Sequence, residues 1–283
     1  MLLRLLATAI AALSLNVARA VDVSAAAPQA DASIPRDPRA LATGLTRGDR
    51  SLRRAIDAWR RHGEPAAGPP PDDVILEALY QQRTLRMLSR DPGLKRRTIR
   101  RLGPRLQRST SEIALALRDL RRLSAGWPAH RIRTGPPKPL GSLLGYYREA
   151  QRRFGVGQHV LAAVNLVESS FGRLRNNSVA GAQGPMQFIP ATWRAYGLGG
   201  DVDDPHDAIL GAANYLRRSG APANYARALY AYNPSALYVN AVLRYARLIA
   251  RDRYAVYALY SWQVFVKARG GGERRVTGPG ITA

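Results

Sequence analysis

From Ser142 to Arg251 the apolar residues recur three or four positions apart, interrupted by short breaks that carry proline, glycine or aspartate. At about 100° per residue, that spacing collects apolar side chains on one face of a helix. It predicts helices over 143–154, 156–171, 190–196, 204–219, 223–232 and 235–251. Asp204-Pro205-His206-Asp207 supplies one start signal: a capping acid, a proline in the first turn and an acid three residues on. The spacing extends upstream to a helix over 51–62, a second opening at Asp72 or Asp73, and a third stretch over 91–123 with a kink at Gly103-Pro104. The expected fold class is all-α, mainly one dense helical domain over 142–266. A basic helical hairpin or small bundle over 49–126 precedes it. Residues 127–141, rich in proline and glycine, are the expected linker. Tyr254–Val266 is aromatic and β-branched, which predicts a short extended C-terminal segment. Residues 21–48 are expected to be a flexible leader and 267–283 a disordered tail.

The first twenty residues have another character. Arg4, an apolar run from Leu5 to Leu15, and Ala18-Arg19-Ala20 have the form of a signal peptide with a small-x-small cleavage site. The run falls short of the roughly 18 residues that a spanning helix needs. An exported protein, in the periplasm or in the cell wall and beyond, is therefore expected. The chain has no cysteine, which excludes disulfides and thiolate metal sites. Its formal net charge is +23, carried by 40 Arg against three Lys. Such a charge attracts polyanions. It is spread along the chain, so the expected contact is a diffuse electrostatic one with anionic wall polymers or a membrane surface. No nucleic-acid-binding motif is present, and a nucleic-acid partner is not expected.

Chemistry points to residues 164–188. Val160, Val164, Val167 and Phe171 keep helical spacing, and Glu168 falls on or beside that apolar face. Burial disfavours the ionised form of a carboxyl and makes it a proton donor near neutral pH. A structural alternative is a carboxylate paired with Arg173 or Arg175. A lone protonated glutamate suits glycosidic cleavage, in which the leaving oxygen is protonated. Ordinary glycosidases add a second carboxylate. Residues 141–283 hold eight acids, and none is near Glu168 in sequence. Either the Asp201–Asp207 loop supplies the second acid, or the substrate supplies its own nucleophile. That loop lacks the glycine and distal glutamate of a calcium site, and the four histidines have no ligand spacing, so neither metal nor cofactor is expected.

Four motifs then fall in order: Glu168-Ser169-Ser170-Phe171-Gly172; Gly181-Ala182-Gln183-Gly184-Pro185-Met186-Gln187-Phe188-Ile189-Pro190 with Thr192-Trp193; Asp204-Pro205 with Asp207-Ala208-Ile209; and Ala231-Tyr232-Asn233. Over residues 140–250 this order and spacing resembles the lytic transglycosylases of the soluble type, which share a fold with goose-type lysozyme. The resemblance implies a lysozyme-like catalytic domain acting on peptidoglycan glycan strands. Glu168 would be the single acid/base cleaving the β-1,4 bond between N-acetylmuramic acid and N-acetylglucosamine, with acetamido assistance and a 1,6-anhydro product. Ser178 matches a serine that binds the acetamido or peptidyl region, and Met186 and Gln187 match a groove-lining pair. Tyr232 matches the tyrosine that steadies the acid, and Asn233 its neighbour. Plain packing for Met186, a turn for Ser178 and a helix cap for Asn233 are the alternatives. Pro185 stands where many relatives have leucine. A monomer is expected. A water-using muramidase of the same fold and a non-catalytic peptidoglycan-binding scaffold are the rival readings.

Overall fold

A computed structural model of the chain describes residues 26–123, 132–267 and 272–281. The expected signal peptide, over 1–20, lies outside the described residues, as do 124–126 of the expected basic helical region, 127–131 of the expected linker and parts of the expected tail. The described chain is mostly helical, with twelve helices and two short strands. The all-α expectation holds. No helix among these residues is long and apolar enough to cross a membrane.

Helix α1 (Pro38–Arg61) starts thirteen residues before the expected Ser51. The carboxylate of Asp37 accepts from the backbone N–H groups of Arg39 and Ala40, and Pro38 sets the first turn. Its buried stripe, Leu41, Leu45, Leu52, Ile56 and Trp59, is diluted in sequence by Thr43, Gly44, Thr46 and Gly48, which hid the first turns. Gly44 and Gly48 face Tyr80 and Glu77 of α3 (Asp72–Arg90), so small residues bring the two helices close. Between them lies the short α2 (Glu64–Ala67). Pro71, with no side-chain bond, precedes α3, and Asp72 and Asp73 occupy its first turn rather than the cap. The expected kinked helix is two helices, α4 (Pro92–Ile99) and α5 (Pro104–Leu123). Pro104 has no N–H to continue the α4 ladder, and the chain restarts there.

The second half contains α6 (Leu140–Phe154), α7 (Gln158–Ser169), α8 (Pro190–Tyr196), α9 (Pro205–Arg218), α10 (Tyr225–Tyr232) and α11 (Ala236–Arg251). Asp204 caps α9, accepting from the N–H groups of His206 and Asp207, as the motif predicts. The C-terminal expectation needs correcting. Residues 255–260 form α12 (Ala255–Tyr260), because Ala255, Val256, Leu259 and Tyr260 bury one helical face. Extended structure is confined to β1 (Phe265–Lys267), and part of the expected tail, β2 (Glu273–Arg275), pairs with it antiparallel.

The main core runs through both halves. Leu52, Ile56, Trp59, Ile113 and Leu117 share one apolar cluster with Tyr147, Val160, Phe171, Tyr238 and Val242. Helix α11 packs along α5 on one side and α7 on the other. Residues 132–139 are pinned to the second half: the Gly135 N–H donates to the Arg173 carbonyl at 2.9 Å, and the Arg175 N–H to the Arg133 carbonyl at 2.9 Å. Gly141 approaches α2 so closely that a Cβ would meet Ala66 Cα at 2.6 Å.

Candidate active site

Glu168 stands on the last turn of α7, where the helix stops abruptly. Ser170, Phe171 and Gly172 follow with φ of 53°, 60° and 83°. Two successive non-glycine residues in the left-handed region are strained and need a surrounding structure to hold them there. Phe171 is held by burial against Tyr260, ring centroids 5.6 Å apart. The Ser169 hydroxyl accepts from the Gly172 N–H at 2.8 Å and donates to the Pro185 carbonyl at 2.6 Å. Asn165, one turn earlier, donates from Nδ2 to the same carbonyl at 2.9 Å, and its Oδ1 accepts from the Tyr147 hydroxyl at 2.6 Å. A buried polar network thus fastens the glycine loop to the helix that carries the acid. It uses the carbonyl of residue 185 and not its side chain, so proline in place of leucine leaves the fastening intact.

Within that loop Gly184 has φ of 70° and lies against the Val202 carbonyl, where any Cβ would collide. Gln187 also has positive φ, 51°, and its amide donates to the carbonyls of Gly184 at 2.9 Å and Asn176 at 3.3 Å. Ser178 closes the loop's other end, its hydroxyl accepting from the Ala182 N–H at 3.0 Å.

The Glu168 carboxyl is packed among protein atoms with one edge open to a cleft of about 370 Å³. Burial pushes its pKa up to about 7, and a hydrogen bond works weakly the other way. That bond comes from Tyr238 of α11, whose hydroxyl donates to Oε1 at 2.6 Å. Here the expectation is corrected. The Tyr232 hydroxyl makes no hydrogen bond to the acid; it donates to the Met186 carbonyl at 2.6 Å, and its ring lies parallel to Tyr238 at 6.4 Å. Tyr232 steadies the tyrosine that steadies the acid. Met186 is also corrected, since it is fully buried in the main core and lines no groove. Asn233, at the C-cap of α10, does line the cleft beside Glu168 and Tyr238.

The ion-pair alternative for Glu168 fails. Arg173 lies over Tyr260, Arg175 donates to the Pro136 carbonyl at 2.8 Å, and Glu168 forms no ion pair among the described residues. The Asp201–Asp207 loop is occupied elsewhere: Asp204 caps α9, and Asp207 accepts from the Asp201 N–H at 3.0 Å while facing His206. Asp204, His206 and Asp207 lie close enough to hold an ion, but capping and the His206–Glu149 contact at 3.0 Å already employ their atoms. The other carboxylate lining the cleft, Glu273, is ion-paired with Arg86 and Arg90.

Residues 145–253 match the family model of the transglycosylase SLT domain. This segment is a transglycosylase SLT domain. No solved structure matches the chain significantly. An SLT domain carries lytic transglycosylase-type cleavage of peptidoglycan in general. The SLT domain supplies Glu168, Tyr238 and Asn233, but the cleft extends beyond it. Leu117, Leu120 and Arg121 of α5 and Phe265 and Val266 of β1 line its continuation. Tyr238, Asn165 and Ser169 were missed in the sequence reading. Tyr238 stands two residues after the start of a helix whose buried face it shares with Val242 and Tyr245, so it looked like core. Asn165, a polar residue inside the otherwise apolar run 160–167, was the available signal.

Proposed function

We propose that the chain is an exported lytic transglycosylase that cleaves the β-1,4 bond between N-acetylmuramic acid and N-acetylglucosamine. The observation that carries this reading is a largely buried carboxyl, unpaired by any cation among the described residues and held protonatable near neutrality, in a cleft whose other acid is ion-paired with two arginines. Glu168 protonates the glycosidic oxygen as the bond breaks, while the sugar's acetamido oxygen assists at the anomeric carbon. The Glu168 carboxylate then removes the proton from the C6 hydroxyl, and that oxygen closes a 1,6-anhydro ring. One group serves as acid and then base, so no second carboxylate and no water are needed. Tyr238 stabilises the carboxylate formed midway. Asn233, which lines the cleft, and Ser178, half-exposed in the loop after α7, are the groups we assign to the sugar's polar substituents. Export accords with the form of residues 1–20 and with a substrate that lies outside the cytoplasm.

Mass analysis of muropeptides tests the reading. The wild type is expected to release 1,6-anhydro ends, and Glu168→Gln is expected to release none while still binding insoluble wall. Reducing ends would instead mean hydrolysis by water, and wild-type-like release by the variant would remove Glu168 from the chemistry.

A further inference from the structure

Arg173, five residues beyond Glu168, is 7% exposed and forms no ion pair among the described residues. Its guanidinium stacks on Tyr260 at 4.7 Å and makes one hydrogen bond, from Nη1 to the Ser170 carbonyl at 3.2 Å. Burial pulls its pKa down to about 10, with no carboxylate to oppose that. Four of its five N–H donors meet no protein acceptor among the described residues, yet its Nε and Nη2 are not sealed inside protein and stay open to a ligand, and removing the charge by deprotonation is not open to arginine at neutral pH. The guanidinium lies in the wall of a pocket of about 450 Å³ on the side of the molecule formed by residues 67–70, 134–139 and 277–278. Its other walls are apolar or neutral: Ile75, Pro137, Pro139, Tyr260 and the hydroxyl-bearing Thr134 and Thr277. Gln263 lines both this pocket and the Glu168 cleft, so the two are neighbours.

We propose that this pocket binds a carboxylate carried on a small apolar group, the terminal residue of a peptidoglycan stem peptide, with Arg173 as its counter-ion. An apolar wall excludes water and suits a methyl side chain, while the fork of the guanidinium suits the two oxygens of a carboxylate. A peptidoglycan glycan with its stems attached carries its carboxylates on those stems, so a site beside the glycan cleft with one buried cation recognises the peptide and not the sugar. The source of the carboxylate rests on the peptidoglycan reading above, whereas its chemistry rests on the pocket alone.

The test is calorimetric titration of the full chain with acetyl-D-alanyl-D-alanine, its C-terminal amide, and N-acetylmuramic acid. The dipeptide is expected to bind and the amide to bind about ten- to a hundredfold more weakly, the range for one charge-assisted contact. Equal binding of acid and amide, or binding of neither, overturns the proposal. Binding of N-acetylmuramic acid alone overturns the peptide source. Arg173→Gln is expected to abolish dipeptide binding. Ile75→Trp, which fills the pocket from a half-buried position in its wall and leaves Arg173 in place, is expected to do the same. Both are expected to retain turnover of peptide-free glycan, and dipeptide binding undiminished in Ile75→Trp would place the ligand elsewhere. Because the titration uses no glycan, its outcome is independent of whether Glu168 cleaves one.

Discussion

Glu168 is costly to the fold whenever it is charged, and the sign of that cost is testable. Its folded pKa, about 7, is above its ordinary value of 4.5, so the native state holds more protons than the unfolded chain between those limits. Stability contributed at this position is therefore complete at low pH and falls as pH rises toward 7. Glu168→Gln is expected to leave the thermal midpoint unchanged at pH 4 and to raise stability by about 3 kcal/mol at pH 8, from a shift of two to three units. Equal midpoints for both proteins at pH 8 would refute it. On the proposed chemistry the first step needs the proton of this carboxyl, so the alkaline limb of turnover is expected to fall near pH 7. Tyr238 favours the ionised form, so Tyr238→Phe is expected to move that limb to higher pH while slowing the maximum rate. A rate profile that only scales down, without moving, would assign Tyr238 to packing alone. The acid itself was legible in the sequence because a carboxylate on an apolar helical face is rare. Tyr238 was not, because a tyrosine on such a face looks like any other core residue, and what it touches depends on how α11 crosses α7.

At the scale of elements, the glycine loop acts as a pad that α7 leans on, and Asn165 is the fastener. Asn165→Ala removes one donor to the Pro185 carbonyl and strands the Tyr147 hydroxyl, with an expected loss of about 1–3 kcal/mol for a buried polar group left unsatisfied. Chemical denaturation measures that loss, and a change below 0.5 kcal/mol, about the smallest such effect expected, would mean that the loop holds itself. Helix identity in the SLT domain was readable from period and caps, Asp204-Pro205 above all. Elements outside it escaped, three of them for identifiable reasons. The first turns of α1 were masked by glycines that serve close packing against α3. The break between α4 and α5 was taken for a kink, although a proline without an N–H cannot say whether the helix resumes in line. Tyr254–Tyr260 has strand-like composition, yet its burial follows helical spacing, and packing against α1 and α7 overrode propensity.

The whole molecule is joined more tightly than a catalytic domain with an appendage. Because α5 covers α11, a fragment spanning 142–253 would expose the face that Ile113 and Leu117 now cover, and it is expected to lack a cooperative thermal transition. A sharp calorimetric transition in that fragment would show an autonomous SLT domain. The net charge of +23 also acts at this scale, so adsorption to insoluble wall should weaken with added salt as screening shortens to about 10 Å at 0.1 M. Which residues the outer helices bring to the cleft could not be read from a sequence, since nothing local says that residue 120 and residue 265 flank residue 168. The reciprocal amide pair between Gln82 and the backbone of Gln263, at 2.8 and 2.9 Å, ties α3 to the strand beside the cleft. These partners are 181 residues apart, so no local segment builds this wall by itself. This wall of the cleft therefore closes only when α3 and the segment after α12 have met, a long-range contact whose loop-closure cost makes it a late event in folding.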